Sequence, residues 1–237
     1  LDYTITPLGD QAVVVTLSET INDDAQKKVR FLTQTLEESA PEWVVEYIPA
    51  FTTVTIFYNP LYFKNSSFPY EQAKAYMEEL LSTVTEKETE EPRTIEIPVC
   101  YGGDFGPDLE FVAKHNGLSP EEVIDIHQSG EYIVYMIGFA PGFPFIGGMS
   151  EKIAAPRRES PRLTIPERSV GIAGNQTGVY PIETPGGWQL IGRTPVKLFT
   201  PEEETPSLLK AGDRIRFKVI EQEEYENWED HQHVKDS

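Results

Sequence analysis

Between residues 138 and 192 the chain places 10 of its 17 glycines and 7 of its 19 prolines. Proline removes a backbone donor and collides with the preceding turn, and glycine loses the most backbone freedom on ordering, so no regular helix runs through this stretch. Short strands joined by turns are what such a sequence can form. Apolar runs at 169–173, 188–192, 196–199 and 214–220 predict those strands. The pattern is that of a β-barrel or sandwich with long functional loops.

The rest of the chain is more regular. Around the turn Gly9-Asp10, residues 2–6 and 12–17 read as strands. Asn22 or Asp23 caps a helix carrying Ala25, Val29, Leu32 and Leu36 at helical spacing, and Pro41 ends it. Aromatic and β-branched runs at 43–48 and 52–58 read as strands, and Pro69-Tyr70-Glu71 opens a second helix with Ala73, Met77, Leu80, Leu81 and Val84 on one stripe. This order predicts an α+β domain over 1–91, its helices packed on one face of an antiparallel sheet. The acidic run 86–91 reads as a solvated linker. Over 92–237 the chain predicts a mainly β domain, with a strand at 94–100, a short helix stopped by Asn116-Gly117, a helix opened by Ser119-Pro120-Glu121-Glu122, and a strand at 132–139. The acidic run 221–230 reads as a short exposed helix or tail.

Thirty-nine acids against 20 bases leave a net charge of −19. Phosphate backbones and anionic lipid repel such a chain, so neither nucleic acid nor a membrane surface is an expected partner. No run approaches the ~20 apolar residues of a spanning helix. The first residues, Leu1-Asp2-Tyr3-Thr4-Ile5-Thr6, show no export signal, and Cys100 is the sole cysteine. A cytoplasmic location and no metal ligand set are therefore the expectations.

Against this acidic background, residues 140–200 hold seven bases (Lys152, Arg157, Arg158, Arg162, Arg168, Arg193, Lys197) and four acids (Glu151, Glu159, Glu167, Glu183). Arginine binds carboxylate and phosphate bidentately, and glycine lets backbone N–H groups approach an anion. A pocket for a small anion is one reading, and pairing of these arginines with the acidic remainder is the other. Gly171-Ile-Ala-Gly174-Asn-Gln-Thr-Gly178 lacks the Gly-Lys-Ser/Thr ending and the following helix of a P-loop. Gln176 and Thr177 are the polar groups it would present. The aromatic segment from Gly138 through Phe145 either places rings at a binding groove or lies buried. Cys100 has no visible partner, His115 and His127 fall near helix C-termini, His231 and His233 lie in a polar tail, and no GxSxG motif is present.

Longer motifs go further. The block His127…Tyr132-Ile-Val-Tyr-Met-Ile-Gly-Phe-Ala-Pro-Gly-Phe-Pro-Phe-Ile-Gly-Gly148 continues through Ala155-Pro-Arg157, Pro161-Arg162, Ser169-Val-Gly-Ile-Ala-Gly174-Asn-Gln-Thr-Gly-Val-Tyr-Pro181 and Thr184-Pro-Gly-Gly-Trp-Gln-Leu-Ile-Gly-Arg-Thr-Pro195. It resembles the allophanate hydrolase subunit 1 family, and the likeness extends over nearly the whole chain. The resemblance implies an α+β N-terminal domain followed by a mainly β, cyclophilin-like barrel domain. It implies the B-type subunit of an ATP-dependent 5-oxoprolinase that opens 5-oxo-L-proline to L-glutamate. Its partners would be the C-type subunit, itself cyclophilin-like, and the A-type subunit, a separate hydrolase, with ATP and Mg2+ as co-substrate. Some members also inhibit a sporulation sensor histidine kinase, which makes such a kinase the alternative partner. On the matched motifs, His127, Arg162 and Arg193 are the catalytic candidates. Arg157, Gln176, Thr177, Tyr180 and Trp188 are the substrate or nucleotide candidates, and Phe139, Pro141, Phe143 and Phe145 the partner-binding ones. The chain departs from the family at Pro166-Glu-Arg-Ser-Val-Gly171, where Pro-Ala-Gly-Ser-Val-Gly is usual. Similarity to the cyclophilin fold does not itself imply prolyl isomerisation.

Overall fold

A computed structural model describes residues 2–63, 68–83 and 92–228. The chain divides into two compact units, Leu1–Glu91 and Pro92–Ser237. Val84 of the predicted helical stripe, the acidic linker 86–91, and His231 and His233 lie outside the described residues.

In the first unit, strands β1 (Thr4–Leu8), β2 (Ala12–Thr16), β3 (Val44–Pro49) and β4 (Thr53–Tyr58) form an antiparallel sheet in the order β1-β2-β4-β3. Alternation sends Val13, Val15, Val54 and Ile56 to one face. Helices α1 (Asp23–Ser39) and α2 (Pro69–Thr83) cover it with Val29, Leu32, Leu36, Ala73 and Met77. The Asn22 side chain caps α1 by accepting from the Ala25 N–H at 2.8 Å. Ala40, in a left-handed conformation, closes it just before Pro41.

The second unit is mainly β. Its strands are β5 (Thr94–Tyr101), β6 (Tyr132–Ile137), β7 (Pro144–Gly147), β8 (Arg162–Ile165), β9 (Ser169–Ala173), β10 (Gln176–Val179), β11 (Thr184–Gly186), β12 (Gln189–Arg193) and β13 (Arg214–Val219). Seven of them close a barrel in the order β10-β7-β6-β13-β5-β12-β9, and β8 pairs with β11 as a separate two-stranded ribbon. Ile97, Val99, Val134, Ile146, Val170, Ile172, Val179 and Phe217 belong to one core, to which helices α3 (Leu109–Asn116) and α4 (Pro120–Gln128) add Leu109, Val112, Ala113 and Val123. Ser119 and Glu122 form a reciprocal capping box on α4, and Gly117 ends α3 at positive φ. Helix α5 (Gln222–Glu226) follows β13.

Two expectations change. The run 196–199 forms no strand: Leu198 is buried, but only a single bridge, Phe199 to Ser207, is made. Strands β7, β8, β10 and β11, each four residues or fewer, were hidden among the glycines and prolines. Among the described residues no helix is long and apolar enough to cross a membrane.

Candidate functional site

The site lies on the outer surface of the barrel. Val170 and Ile172 of β9 enter the barrel core, so alternation turns Gly171 to the other side. Gly171 is paired with Gly178 of β10. A Cβ on Gly178 would lie 3.0 Å from the Trp188 ring, and one on Gly171 3.3 Å from the Trp188 Cβ. The two glycines thus form a floor without side chains on which the indole rests. Gly174, at φ +59°, turns β9 into β10, and no helix follows. A second apolar layer forms here from Phe143, Ile165, Tyr180 and Leu190, flanked by Ala140, Phe145 and Trp188. Phe143, Tyr180 and Trp188 meet edge to face with centroids 5.9–6.2 Å apart.

Beside this layer sits Asp108, a residue the sequence did not single out. It is 5% exposed. Arg162 closes on it with both terminal nitrogens, Nη2 to Oδ1 at 2.9 Å and Nη1 to Oδ2 at 2.8 Å. Arg158 Nη1 adds a bond to Oδ1 at 3.0 Å, and the Leu190 N–H donates to Oδ2 at 2.7 Å. Such a charge-assisted cluster satisfies the buried carboxylate and leaves an excess of positive charge. Arg157 is exposed and makes no hydrogen bond or ion pair among the described residues. The Arg158 backbone N–H donates to the Gly187 carbonyl at 2.7 Å, which lays segment 157–158 along the end of β11. Burial pushes the Tyr180 phenol up to about 12, and Arg157 and Arg162 act in the opposite direction.

Arg193 stands apart from this cluster. It pairs with Ser169 and Cys100 in the barrel ladders, and its Nε donates to the Glu167 carbonyl at 3.0 Å. Its terminal nitrogens have no partner among the described residues. The departure loop runs alongside. Arg168 sits at φ +67°, with Nη1 on the Pro195 carbonyl at 3.0 Å and Nη2 on Glu167 at 3.3 Å. Its N–H donates to the Tyr180 carbonyl, and its own carbonyl accepts from Thr194 N–H at 3.0 Å.

His127 is fully buried in the last turn of α4. Its Nδ1 lies 2.7 Å from the Tyr101 hydroxyl and its Nε2 2.8 Å from Thr177 Oγ1. Thr177 has a single hydroxyl proton and donates it to the Gly171 carbonyl at 3.2 Å. The imidazole proton is therefore assigned to Nε2, and Nδ1 accepts from Tyr101. Burial lowers the histidine to about 3 and raises Tyr101 well above the usual phenol value, so the whole chain of groups is neutral. Gln176, one residue before Thr177, is exposed on the opposite face of β10, so the two do not converge on one ligand. Burial also raises the Cys100 thiol, which keeps it protonated.

The aromatic segment divides. Phe143 is 4% exposed and Phe145 half-buried, whereas Phe139 is 76% exposed and Pro141 is exposed. Phe139 also carries φ +69°, held by the tight turn in which Phe143 N–H donates to the Ala140 carbonyl and Gly138 N–H to the Phe143 carbonyl, both at 3.0 Å. Among the described residues no group of three or more His, Cys, Asp or Glu converges as a metal site.

Residues 3–209, Asp108 and its arginine partners among them, match the carboxyltransferase domain, subdomain C and D. The chain belongs to that family. It is 54% identical over 228 residues to the 5-oxoprolinase B subunit of Bacillus subtilis (strain 168), covering 94% of this chain and 95% of that protein. To the 5-oxoprolinase B subunit of Escherichia coli O157:H7 it is 45% identical over 212 residues, covering 89% and 93%. The crystal structure of a conserved uncharacterized protein from Pyrococcus horikoshii, PH0987, matches with a TM-score of 0.55 at 44% identity, covering 94% of this chain and 100% of that one. The resemblance drawn from the motifs between His127 and Pro195 is borne out.

Proposed function

We propose that the chain is the B subunit of an ATP-dependent 5-oxoprolinase, acting with the A and C subunits to open 5-oxo-L-proline to L-glutamate in the cytoplasm. The observation that carries this reading is near full-length likeness, 54% identity over 94% of this chain and 95% of its Bacillus subtilis relative. The site's chemistry supports it: a positively charged cluster beside an aromatic wall, in a chain otherwise strongly acidic, suits an anionic substrate with an apolar body. In this reading the barrel is cyclophilin-like and forms one wall of a composite site.

The residues take different parts. Arg162 is positioned by Asp108 and orders the edge of the pocket. Arg193, whose terminal nitrogens have no partner among the described residues, is the candidate contact for a phosphate or a developing negative charge. His127 is a positioning residue: neutral and sealed, it holds Thr177, and through Thr177 the β9–β10 hairpin under Trp188. With no acidic cluster among the described residues, none of them is assigned to the Mg2+ that accompanies ATP.

The test is reconstitution of the chain with the A and C subunits. Glutamate release from 5-oxo-L-proline should require both ATP and this chain. An assembled mixture that releases glutamate equally well without it overturns the reading, as does one that assembles and releases none.

A further inference from the structure

Tyr180 is 3% exposed, yet among the described residues its hydroxyl has no hydrogen-bond partner. The oxygen is nevertheless not sealed, so it keeps contact with solvent and stays open to a ligand. The ring is fixed by Phe143 and Trp188, and the backbone of Gly186 passes so close that a Cβ there would lie 2.8 Å from the phenol oxygen. The hydroxyl is thus held in place by packing and not by a bond of its own.

The Arg158 N–H bonds the Gly187 carbonyl at 2.7 Å, next to the Gly186 backbone that covers the phenol oxygen, so the segment holding Arg157 and Arg162 borders this hydroxyl. Arg162 is committed to Asp108 through both terminal nitrogens. Arg157 is committed to nothing among the described residues. A neutral O–H donor and a free guanidinium therefore border one place, and what both lack is an acceptor bearing negative charge. We propose that Tyr180 and Arg157 form a carboxylate subsite for a small monoanion, with Trp188 supplying apolar surface to the body of the ligand.

Charge selects carboxylate over polyphosphate. One free guanidinium balances one negative charge. A nucleotide triphosphate brings about three or four, more than Arg157 and the single positive charge by which Arg158 and Arg162 outweigh Asp108 can balance. The naming of 5-oxo-L-proline as the ligand rests on the 5-oxoprolinase reading; the subsite itself rests on Tyr180 and Arg157.

The experiment is calorimetric titration of the full chain with 5-oxo-L-proline, with its carboxamide and with inorganic phosphate. The carboxylate should bind at least ~10-fold more tightly than the uncharged amide, and Tyr180→Phe and Arg157→Gln should each weaken it by about 10-fold. The melting temperature of Tyr180→Phe should be unchanged, because no protein group loses a partner. Equal affinity for acid and amide, no binding to the wild-type chain, or unaltered binding by Tyr180→Phe overturns the subsite. In the reconstituted enzyme Tyr180→Phe should raise KM for 5-oxo-L-proline by a similar factor. ATP-dependent turnover with an unchanged KM sinks the subsite and leaves the 5-oxoprolinase reading standing. Carboxylate binding to the chain, lost in Tyr180→Phe, from an assembly without turnover does the reverse.

Discussion

Arg162 and Asp108 meet fork to fork, 2.8 and 2.9 Å between their paired atoms, with the aspartate side chain 7% exposed. The carboxylate also accepts from Arg158 and from the Leu190 N–H, so it ties the N-terminus of α3, segment 158–162 and β12 together. Removing it leaves two guanidinium groups and a buried N–H without their acceptor. Asp108→Ala should cost about 3 kcal/mol, read as a lowered urea midpoint with an unchanged m value. A loss within ~0.5 kcal/mol would show that solvent replaces the carboxylate freely.

The floor under Trp188 makes a second test. A side chain at Gly178 must displace the indole or lift β10 away from it, since even a Cβ would lie 3.0 Å from the ring. Gly178→Val should destabilise the barrel unit by roughly 1–3 kcal/mol through overpacking and shift the Trp188 emission. Val at the exposed turn residue Asn175 is the control that should leave the emission alone.

What could be read from the sequence was mostly local. Asn22, the Ser119–Glu122 box and Gly117 act within a few residues of where they stand, and each helix begins or ends where they signal. Inside the glycine- and proline-rich stretch β9 and β12 were legible as apolar runs, but β10 and β11 were not, because β10 carries a glycine and β11 a proline and a glycine, and both owe their place to partners across the barrel or ribbon. Asp108 was missed for a related reason. Its arginine partners lie 50 and 54 residues away, and nothing within its own loop distinguishes it from Asp104. The excess of arginine over 140–200 was the available signal that acids from elsewhere must meet it. The pairing reading holds for Arg158 and Arg162, which meet an acid, while Arg157 meets none among the described residues.

Arg168 tests backbone strain. Its φ of +67° is comfortable for glycine and costs a side-chain-bearing residue about 1 kcal/mol. Arg168→Ala and Arg168→Gly both lose the bond to the Pro195 carbonyl and the Glu167 pair, so the difference between them isolates the strain. The glycine variant should be more stable than the alanine variant by about 1 kcal/mol in chemical denaturation. The reverse order would mean that the loop relaxes out of the left-handed conformation.

Phe139 and Phe143 are neighbours, with ring centroids 5.5 Å apart, but one faces solvent and the other the second apolar layer. Phe143→Ala should cost roughly 3 kcal/mol by opening a cavity among Phe145, Tyr180 and Trp188. Phe139→Ala should leave the melting temperature nearly unchanged. If the exposed ring is an anchor for the C subunit, Phe139→Ala should weaken their assembly by about 10-fold or more, measured by sedimentation. Assembly at wild-type affinity would remove Phe139 from that interface.

His127 predicts how stability depends on pH. Folded, its value is lowered to about 3, against an ordinary 6.5, because burial disfavours the charged ring. Between those values the unfolded chain binds a proton that the folded chain does not, so stability is greatest above about pH 6.5 and declines as pH falls toward 3. From pH 6 to pH 5 this single group should remove about 1 kcal/mol. Tyr101 and Tyr132, which surround the ring, stay protonated throughout and contribute nothing to that interval. His127→Asn should be less stable at every pH, having lost part of the Tyr101–Thr177 link, but flatter by that same ~1 kcal/mol over the interval. Carboxylate titration is common to both proteins and cancels in the comparison. Parallel profiles would show that the histidine takes up its proton without unfolding the barrel, and with it that the site can admit a charge.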